Sequence, residues 1–156
     1  MSINESINGA LRGIRVLDFA QVGAGPTCGM QLGDLGADVT KIEGPAGDLG
    51  RKLGPPWQKG ESVVSMSFNR NKRSLVIDMK KNEGAPVVKR MVREADVVLE
   101  SFRPGVMDKL GIGYAALATV NPRIVYCSLS AYGQTGPMRS LPGFGRKARD
   151  ENAARG

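Results

Sequence analysis

The residues best suited to chemistry in this sequence form a glycine-rich turn, Gly23-Ala24-Gly25-Pro26. It follows an apolar run at 15–19, rich in branched and aromatic residues, that predicts a strand ending at the glycines. Pro26 suits the first helical position, because its missing N–H would have no partner there, and residues 27–35 can then continue as a helix. A helix N-terminus directs backbone N–H groups at whatever lies above the strand. The turn is therefore suited to holding an anion, although any α/β domain also needs such turns for packing.

Glycine recurs every four residues along the predicted helix, at Gly25, Gly29 and Gly33. One helix face therefore has no side chains, and either another part of the backbone or a flat ligand can approach it closely. Each glycine inside a helix costs roughly 1 kcal/mol relative to alanine, so some compensation is expected. Close packing of the helix on a sheet is the more frequent cause, and ligand binding is the alternative.

Composition excludes several kinds of catalysis. The 156 residues include no histidine, which rules out Ser-His-Asp and Cys-His mechanisms and most transition-metal sites. Cys28 and Cys127 are far apart and have no metal-ligand spacing, as expected for reduced thiols in an intracellular protein. The sequence shows neither a membrane-spanning run nor a signal peptide. We therefore predict a cytoplasmic protein with no metal and no membrane partner.

The net charge of +7 favours a polyanionic partner, which can be a nucleic acid, a membrane surface or a phosphorylated small molecule. Three cations and two asparagines fall together in the run Asn69-Arg70-Asn71-Lys72-Arg73-Ser74. Such residues at a strand entrance are usually turn formers and a solvated rim. Aromatic residues make up only 5% of the chain and no helix concentrates cations, so a nucleic-acid partner is not expected.

The elements around these residues alternate between strands and helices. Strands are predicted at 15–19, 38–42, 75–78, 96–100 and 124–128, with helices at 27–35, from 82 or 83 to 94, at 106–110 and at 114–120. A long Gly- and Pro-rich connection spans 44–60, and 62–68 is expected to be a short strand or a segment facing a ligand. This order predicts an α/β fold, a Rossmann-like doubly wound, mostly parallel sheet. Ligands of such sheets bind beyond the carboxyl ends of the strands, where 23–26, 101–103 and 132–137 all lie.

A dinucleotide-binding oxidoreductase is one candidate. Gly23 and Gly25 supply the first two glycines of G-x-G-x-x-G, but Cys28 stands where the third is needed. Glu43, at the end of the second strand, could accept a hydrogen bond from a ribose hydroxyl. The motif is incomplete, so this alternative remains open on weak support.

A long series of ordered motifs between residues 11 and 144 resembles the family III CoA-transferases, which include formyl-CoA and carnitine CoA-transferases and the related α-methylacyl-CoA racemases. The motifs are Arg15-Val16-Leu17-Asp18, Ala24-Gly25-Pro26, Leu32-Gly33-Asp34-Leu35-Gly36-Ala37-Asp38-Val39, Lys41-Ile42-Glu43, Asn69-Arg70-Asn71-Lys72-Arg73-Ser74, Ala95-Asp96-Val97, Glu100-Ser101-Phe102-Arg103-Pro104-Gly105, Leu110-Gly111, Asn121-Pro122-Arg123 and Tyr132-Gly133-Gln134-Thr135-Gly136-Pro137. The resemblance implies a Rossmann-like domain that binds coenzyme A and moves it between an acyl-CoA and a carboxylic acid acceptor. It also implies an interlocked homodimer for the full-length protein.

The resemblance assigns a set of coenzyme A contacts by position. They are Gly23, Ala24, Ile77, Asp78, Met79, Lys80, Ser101, Phe102, Arg103 and Lys109. Coenzyme A carries a 3′-phosphate and a pyrophosphate, which suit helix N-termini and cations without a metal. Two positions depart from the family: Ser101 stands where asparagine is frequent, and Gly44 stands where formyl-CoA transferase has arginine.

The resemblance also implies that this chain lacks the family nucleophile. That residue is an aspartate that forms an aspartyl-CoA thioester, and it lies further along than the chain extends, so no catalytic residue is assigned. We predict a flexible segment at 1–12, an incomplete coenzyme A-binding domain at 13–144, and a tail at 145–156 that is unrelated to the family, as after a frameshift or truncation. Phe144-Gly145 occupies the place where racemases have histidine and aspartate, which disfavours racemase chemistry.

Overall fold

The computed structural model describes residues 9–141 and Gly143, and a central sheet of five parallel strands organises them. The strands are β1 (Arg15–Asp18), β2 (Asp38–Glu43), β3 (Trp57–Gln58), β4 (Glu61–Ser62), β5 (Lys72–Val76), β6 (Val97–Glu100) and β7 (Val125–Ser128), of which β3 and β4 pair separately as a small antiparallel hairpin. The helices are α1 (Ala24–Asp34), α2 (Val63–Asn69), α3 (Gly84–Val92), α4 (Val106–Lys109) and α5 (Tyr114–Ala118), with a 3₁₀ helix over Leu49–Lys52.

The strand order β5-β2-β1-β6-β7 confirms the predicted Rossmann-like, doubly wound sheet. The chain runs outward from β1 through β2 to β5, then crosses back to place β6 and β7 on the other side of β1. The two halves diverge between β1 and β6. In open α/β sheets this switch point opens a crevice at the carboxyl ends of the strands.

Apolar side chains on both faces of the sheet pack against helices. Alternation along β1 sends Val16 and Leu17 to opposite faces. Leu17 belongs to the larger cluster, which includes Val88 and Val92 of α3 and Leu117 of α5. Val16 belongs to the smaller cluster on the side of α1. Both faces are thus covered near the switch point, which holds β1 and β6 in place.

Helix α1 begins earlier than predicted. It starts at Ala24, so Pro26 is the third helical residue and not the first, and Gly23 is the N-cap. A proline is tolerated throughout the first turn because those N–H groups have no acceptor within the helix. The first intrahelical bond is donated by the Thr27 N–H to the Gly23 carbonyl, at 3.0 Å.

Two other sequence predictions are wrong. Residues 62–68 form most of helix α2 with its N-cap, because the Ser62 hydroxyl caps the helix by accepting the Ser65 N–H at 3.2 Å. Strand β5 starts at Lys72, inside the basic run, and not at Leu75. β5 is an edge strand in which residues 73–76 are all exposed, and charged residues are tolerated there. The predictions for residues 1–8 and 144–156 lie outside the described residues.

Candidate functional site

A cleft of about 960 Å³ opens beyond the carboxyl ends of the central strands, at the switch point. Its volume is within the range of small-molecule sites. Four segments line it: the turn after β1 with the start of α1, the 3₁₀ helix at Leu49, the segment after β6, and the chain that follows β7. The lining residues are Gln21, Val22, Gly23, Ala24, Gly25, Leu49, Ser101, Phe102, Arg103, Pro104, Val106, Leu129, Ser130, Ala131, Arg139, Leu141 and Gly143.

The structure brings half of the ten predicted site residues together in this cleft. Gly23, Ala24, Ser101, Phe102 and Arg103 all line it. They come from two segments about 80 positions apart in sequence, joined because β1 and β6 are parallel neighbours. The glycine turn and the segment after β6 therefore form opposite parts of one site.

The other five predicted residues do not line the cleft. They are Ile77, Asp78, Met79, Lys80 and Lys109. Ile77 is buried in the larger apolar cluster just after β5, whereas Lys80 and Lys109 are exposed. Strand β5 is the outer strand of the sheet, two positions from β1, which separates residues 77–80 from the switch point. Lys109 is the last residue of α4, after the segment that lines the cleft.

Several lining residues were missed by sequence reasoning. Arg139 and Leu141 follow the Gly-rich loop at 132–137, and residues on both sides of that loop line the cleft, whereas none of residues 132–137 does. Leu49 comes from the long 44–60 connection, and that unusual length was the only signal for it. No local sequence pattern identifies these residues, because the path that brings a loop to the cleft depends on contacts with residues distant in sequence.

The turn after β1 has an unusual backbone. Val22 has a φ of 42° and Gly23 a φ of 80°. Positive φ is ordinary for glycine but rare for a β-branched residue such as valine. The N–H groups of Ala24 and Gly25 precede Thr27, the first intrahelical donor, so the positive end of the α1 dipole borders the cleft.

Ser101 joins the two walls of the cleft. Its Oγ accepts the Gln21 N–H at 2.9 Å and donates to the Gln21 carbonyl at 3.3 Å. Both backbone groups of Gln21 are thereby satisfied by one side chain from the end of β6. The serine hydroxyl thus holds the glycine turn against the segment after β6.

The glycine stripe of α1 is explained by packing. A Cβ at Gly25 would overlap the Cβ of Ala20, and one at Gly29 would lie 2.6 Å from Asp18 Oδ2. At Gly33 it would lie 3.0 Å from the Asn71 carbonyl oxygen. This face of α1 is therefore already occupied by the sheet and by β5's entrance, and no room remains there for a flat ligand.

Two buried ion pairs involve lysines of the sheet, one of them beneath α1 and the other at the start of the 3₁₀ helix. Lys72 Nζ is 2.8 Å from Asp18 Oδ2, and Lys41 Nζ is 2.6 Å from Asp48 Oδ2. All four side chains are at most 3% exposed. Burial lowers the pKa of Lys72, and the Asp18 carboxylate opposes that shift. Charges removed from water in this way need close partners and further hydrogen bonds.

The three cations of the basic run at 69–74 form ion pairs with carboxylates. Arg70 pairs with Asp34 at 2.5 Å and Arg73 with Asp38 at 2.6 Å, while Lys72 is the buried partner of Asp18. The expectation of a solvated rim holds for the two exposed arginines, but it is wrong for Lys72. Because each cation has an acidic neighbour, the run contributes little net positive field for a polyanion.

Glu43 is fully engaged in the protein. Arg51 donates to both of its carboxylate oxygens at 2.8 Å, and the Ser74 hydroxyl and the Asp48 N–H also donate to them. The Arg51 guanidinium is the main cause that lowers the pKa of Glu43 to about 2. A carboxylate with four such donors is not free for a ribose hydroxyl, which disfavours the dinucleotide alternative.

Glu43→Gln is expected to lower the free energy of unfolding by about 2 kcal/mol at pH 7. This is less than the full pKa shift of Glu43 implies, because Arg51 is partly exposed and water screens its charge. The lowered pKa in the folded state means that this contribution is present above pH 4.5 and disappears as the pH falls towards 2. Urea denaturation of the wild type and of Glu43→Gln between pH 7 and pH 2.5 should show the difference in their free energies of unfolding disappearing. The exposed Glu83→Gln variant is the control, and a difference independent of pH would contradict the role of the Glu43 carboxylate.

Glu100 fixes the start of the segment after β6. Its carboxylate accepts the Phe102 N–H at 2.7 Å and the Ser128 hydroxyl of β7. Burial raises the pKa of Glu100, although these two donors act in the opposite direction. The Gln134 amide donates to Ser128 at 2.8 Å. This chain of bonds ties the loop after β7 to the wall of the cleft.

The described residues also bear on metal binding and on membrane insertion. Within residues 9–141, no three histidine, cysteine, aspartate or glutamate side chains cluster in a way that could hold a metal ion. None of the helices in the same part of the chain is both long and apolar enough to cross a bilayer.

Comparison with known proteins shows which family and which relatives this chain resembles. The model of CoA-transferase family III matches residues 11–151. The chain is 45% identical over 139 residues to the succinyl-CoA–L-malate CoA-transferase beta subunit of Chloroflexus aurantiacus. It is 44% identical over 135 residues to the succinyl-CoA:glutarate CoA-transferase of Mus musculus. These matches cover 88% and 86% of the chain but only 34% and 31% of the two relatives.

A solved structure shares the fold. The crystal structure of a CAIB/BAIF family protein from Brucella suis superposes with a TM-score of 0.84 at 42% identity, covering 88% of this chain and 38% of that protein. The chain thus spans about a third of the length of the relatives it matches.

Proposed function

The chain belongs to CoA-transferase family III, and from this premise we propose that residues 13–144 are the coenzyme A-binding part of an enzyme that transfers coenzyme A between carboxylic acids. The observation that carries the proposal is the cleft at the switch point, lined by the glycine turn and by the segment after β6. Relatives named as CoA-transferases match this same stretch of the chain.

The chemistry of the cleft suits a phosphorylated thioester carrier. Among the described residues, two charged ones, Arg103 and Arg139, line it together with the N-terminus of α1, and arginine binds phosphate oxygens through several N–H donors. Phe102, Leu49 and Leu141 add apolar surface. We propose that the cations and helix N–H groups bind phosphate while the apolar side chains contact the less polar parts of coenzyme A.

The remaining predicted contacts stay part of this proposal. Ile77, Asp78, Met79, Lys80 and Lys109 lie outside the cleft and would contact coenzyme A only where it extends beyond the lining. Lys80 and Lys109 are exposed cations suited to a terminal phosphate. We expect substitution of these residues to weaken binding less than substitution of the arginines in the cleft.

The whole protein would act on an acyl-CoA and a carboxylic acid acceptor, through an aspartate supplied by the part of the family sequence that follows this stretch. Division of acyl transfer into two covalent steps is the advantage of such a nucleophile. We also propose a cytoplasmic homodimer. Cys28 and Cys127 are both free thiols, as expected in a reducing compartment.

Titration calorimetry with coenzyme A, NAD and a short oligonucleotide tests the proposal. We expect coenzyme A to bind, and Arg103→Gln and Arg139→Gln each to raise its Kd about tenfold, since a hydrogen bond to a charged group contributes about 1.5 kcal/mol or more. Arg90→Gln, an exposed substitution on α3 outside the lining, is the matched control and should leave Kd unchanged. Binding of the oligonucleotide alone would overturn the proposal.

A further inference from the structure

We infer that Lys72 is a positioning residue for the ligand of this cleft: it holds the glycine turn in its binding conformation and does not touch the ligand itself. The inference rests on the proposed function, because it concerns the binding of coenzyme A by the same cleft. Four observations carry it, namely the bonds of the Lys72 ammonium, the bonds of Ala20, the backbone of Val22 and the position of Lys72 beneath α1.

The Lys72 ammonium joins three separate parts of the fold. Nζ donates to Pro26 O in the first turn of α1 at 2.7 Å, to Asp18 Oδ2 of β1 at 2.8 Å, and to Asn69 Oδ1 of α2 at 3.1 Å. An ammonium has three donors, and all three are used. The side chain is only 2% exposed, so these bonds are protected from competition by water.

Asp18 and a second buried lysine, Lys41, hold the start of the glycine turn in place. The second oxygen of Asp18 accepts the Ala20 N–H at 2.9 Å, and Lys41 Nζ donates to the Ala20 carbonyl at 2.7 Å. The residues between Ala20 and Pro26 are thereby held at both ends by buried charges. Loss of the Lys72 ammonium would release the Pro26 end directly and leave the Asp18 carboxylate without its cation.

The turn needs to be held because its backbone is strained. Val22 has a φ of 42°, in the left-handed region that β-branched residues rarely adopt. Such a conformation persists only where the surrounding structure imposes it. Val22 and its neighbour Gly23 both line the cleft. If the bonds at Ala20 and Pro26 are weakened, the turn is expected to relax and the α1 N–H groups to change direction.

Lys72 acts through the turn, since helix α1 separates it from the cleft. A Cβ at Gly29 would lie 3.2 Å from Lys72 Nζ, so α1 lies directly against the ammonium. Lys72 is absent from the lining of the cleft, whose charged residues in the described part of the chain are Arg103 and Arg139. A direct charge contact with a phosphate is therefore not how it would affect binding.

The test compares Lys72→Met with Val92→Ala in the full chain. Val92, the last residue of α3, is fully buried in the larger apolar cluster, so its truncation lowers stability without touching the turn. We expect Lys72→Met to raise the Kd for coenzyme A about tenfold or more and Val92→Ala to leave it within twofold. Hydrogen exchange of the backbone N–H groups of residues 20–25 should accelerate in Lys72→Met relative to exchange of β6, and Val92→Ala should show no such local change.

The outcomes separate the inference from the proposed function. Failure of the wild-type chain to bind coenzyme A would overturn the proposed function and, with it, the role of Lys72 in binding. Wild-type binding with an unchanged Kd in Lys72→Met, or equal weakening in both variants, would overturn the inference alone. If Lys72→Met does not fold, Asn69→Ala removes one of the three acceptors and should raise Kd about threefold, while an unchanged Kd would contradict the positioning role.

Discussion

Gly25→Ala is expected to destabilise the fold by about 3 kcal/mol, although alanine normally stabilises a helix relative to glycine by about 1 kcal/mol. The added methyl would overlap the Cβ of Ala20 and lie 3.3 Å from that of Ser101. Neither neighbour can move without its backbone, so α1 must shift away from the sheet, and overpacking of this kind costs about 1–3 kcal/mol or more. Urea denaturation followed by circular dichroism measures the change.

A second substitution should reverse this loss. In the double variant Ala20→Gly, Gly25→Ala, the methyl group is moved from the strand side of the contact to the helix side, so we expect most of the stability to return. Gly44→Ala is the matched control, because a Cβ there would meet nothing within 4 Å. A stability for Gly25→Ala equal to or above that of the wild type would contradict the packing explanation of the glycine stripe.

Lys41→Met is expected to cost about 3–5 kcal/mol, the typical effect of leaving one member of a buried ion pair alone. Lys41 and Asp48 are only 3% and 2% exposed, with Nζ and Oδ2 at 2.6 Å. Methionine fills a similar volume, so the loss comes from the uncompensated Asp48 carboxylate and from the Ala20 carbonyl that Lys41 no longer reaches. Thermal and urea denaturation at pH 7 provide the measurement.

Neutralising the partner should recover much of the loss. Asp48→Asn added to Lys41→Met removes the isolated charge and keeps an oxygen for the Gly50 N–H, which Asp48 accepts at 2.7 Å. For comparison, Arg15→Met breaks an exposed pair with Glu94 and should change stability by less than about 1 kcal/mol. Equal losses in Lys41→Met and Arg15→Met would show that burial of the pair has no special importance.

Most of the fold could be anticipated because it depends on short-range patterns. The apolar run ending at Asp18, the glycine turn and the helix after it follow from residue types alone. So does the approach of the glycine turn to the segment after β6, since parallel strands bring their carboxyl ends to one edge of a sheet. The helix over Val63–Asn69 was missed because its two valines favour a strand, whereas its Ser62 cap decides in favour of a helix.

The candidate site was anticipated only in part, for a different reason. Arg139 and Leu49 reach the cleft through loops whose course depends on distant contacts. Ile77 was assigned to the site by position, but its side chain is in the apolar core. Local sequence cannot separate these cases, because the same residue types occur at strand ends that approach the cleft and at strand ends that do not.

From residue order alone follow the alternating α/β fold, the anion-directed glycine turn, the absence of histidine chemistry and the family. Only the tertiary structure decided which charged side chains are buried. Lys72 and Arg73 are neighbours in one basic run, yet Lys72 is enclosed beneath α1 while Arg73 remains in solvent. Successive side chains of a strand point to opposite faces, and only the packing of α1 onto one face determines which of the two cations leaves water and needs Asp18.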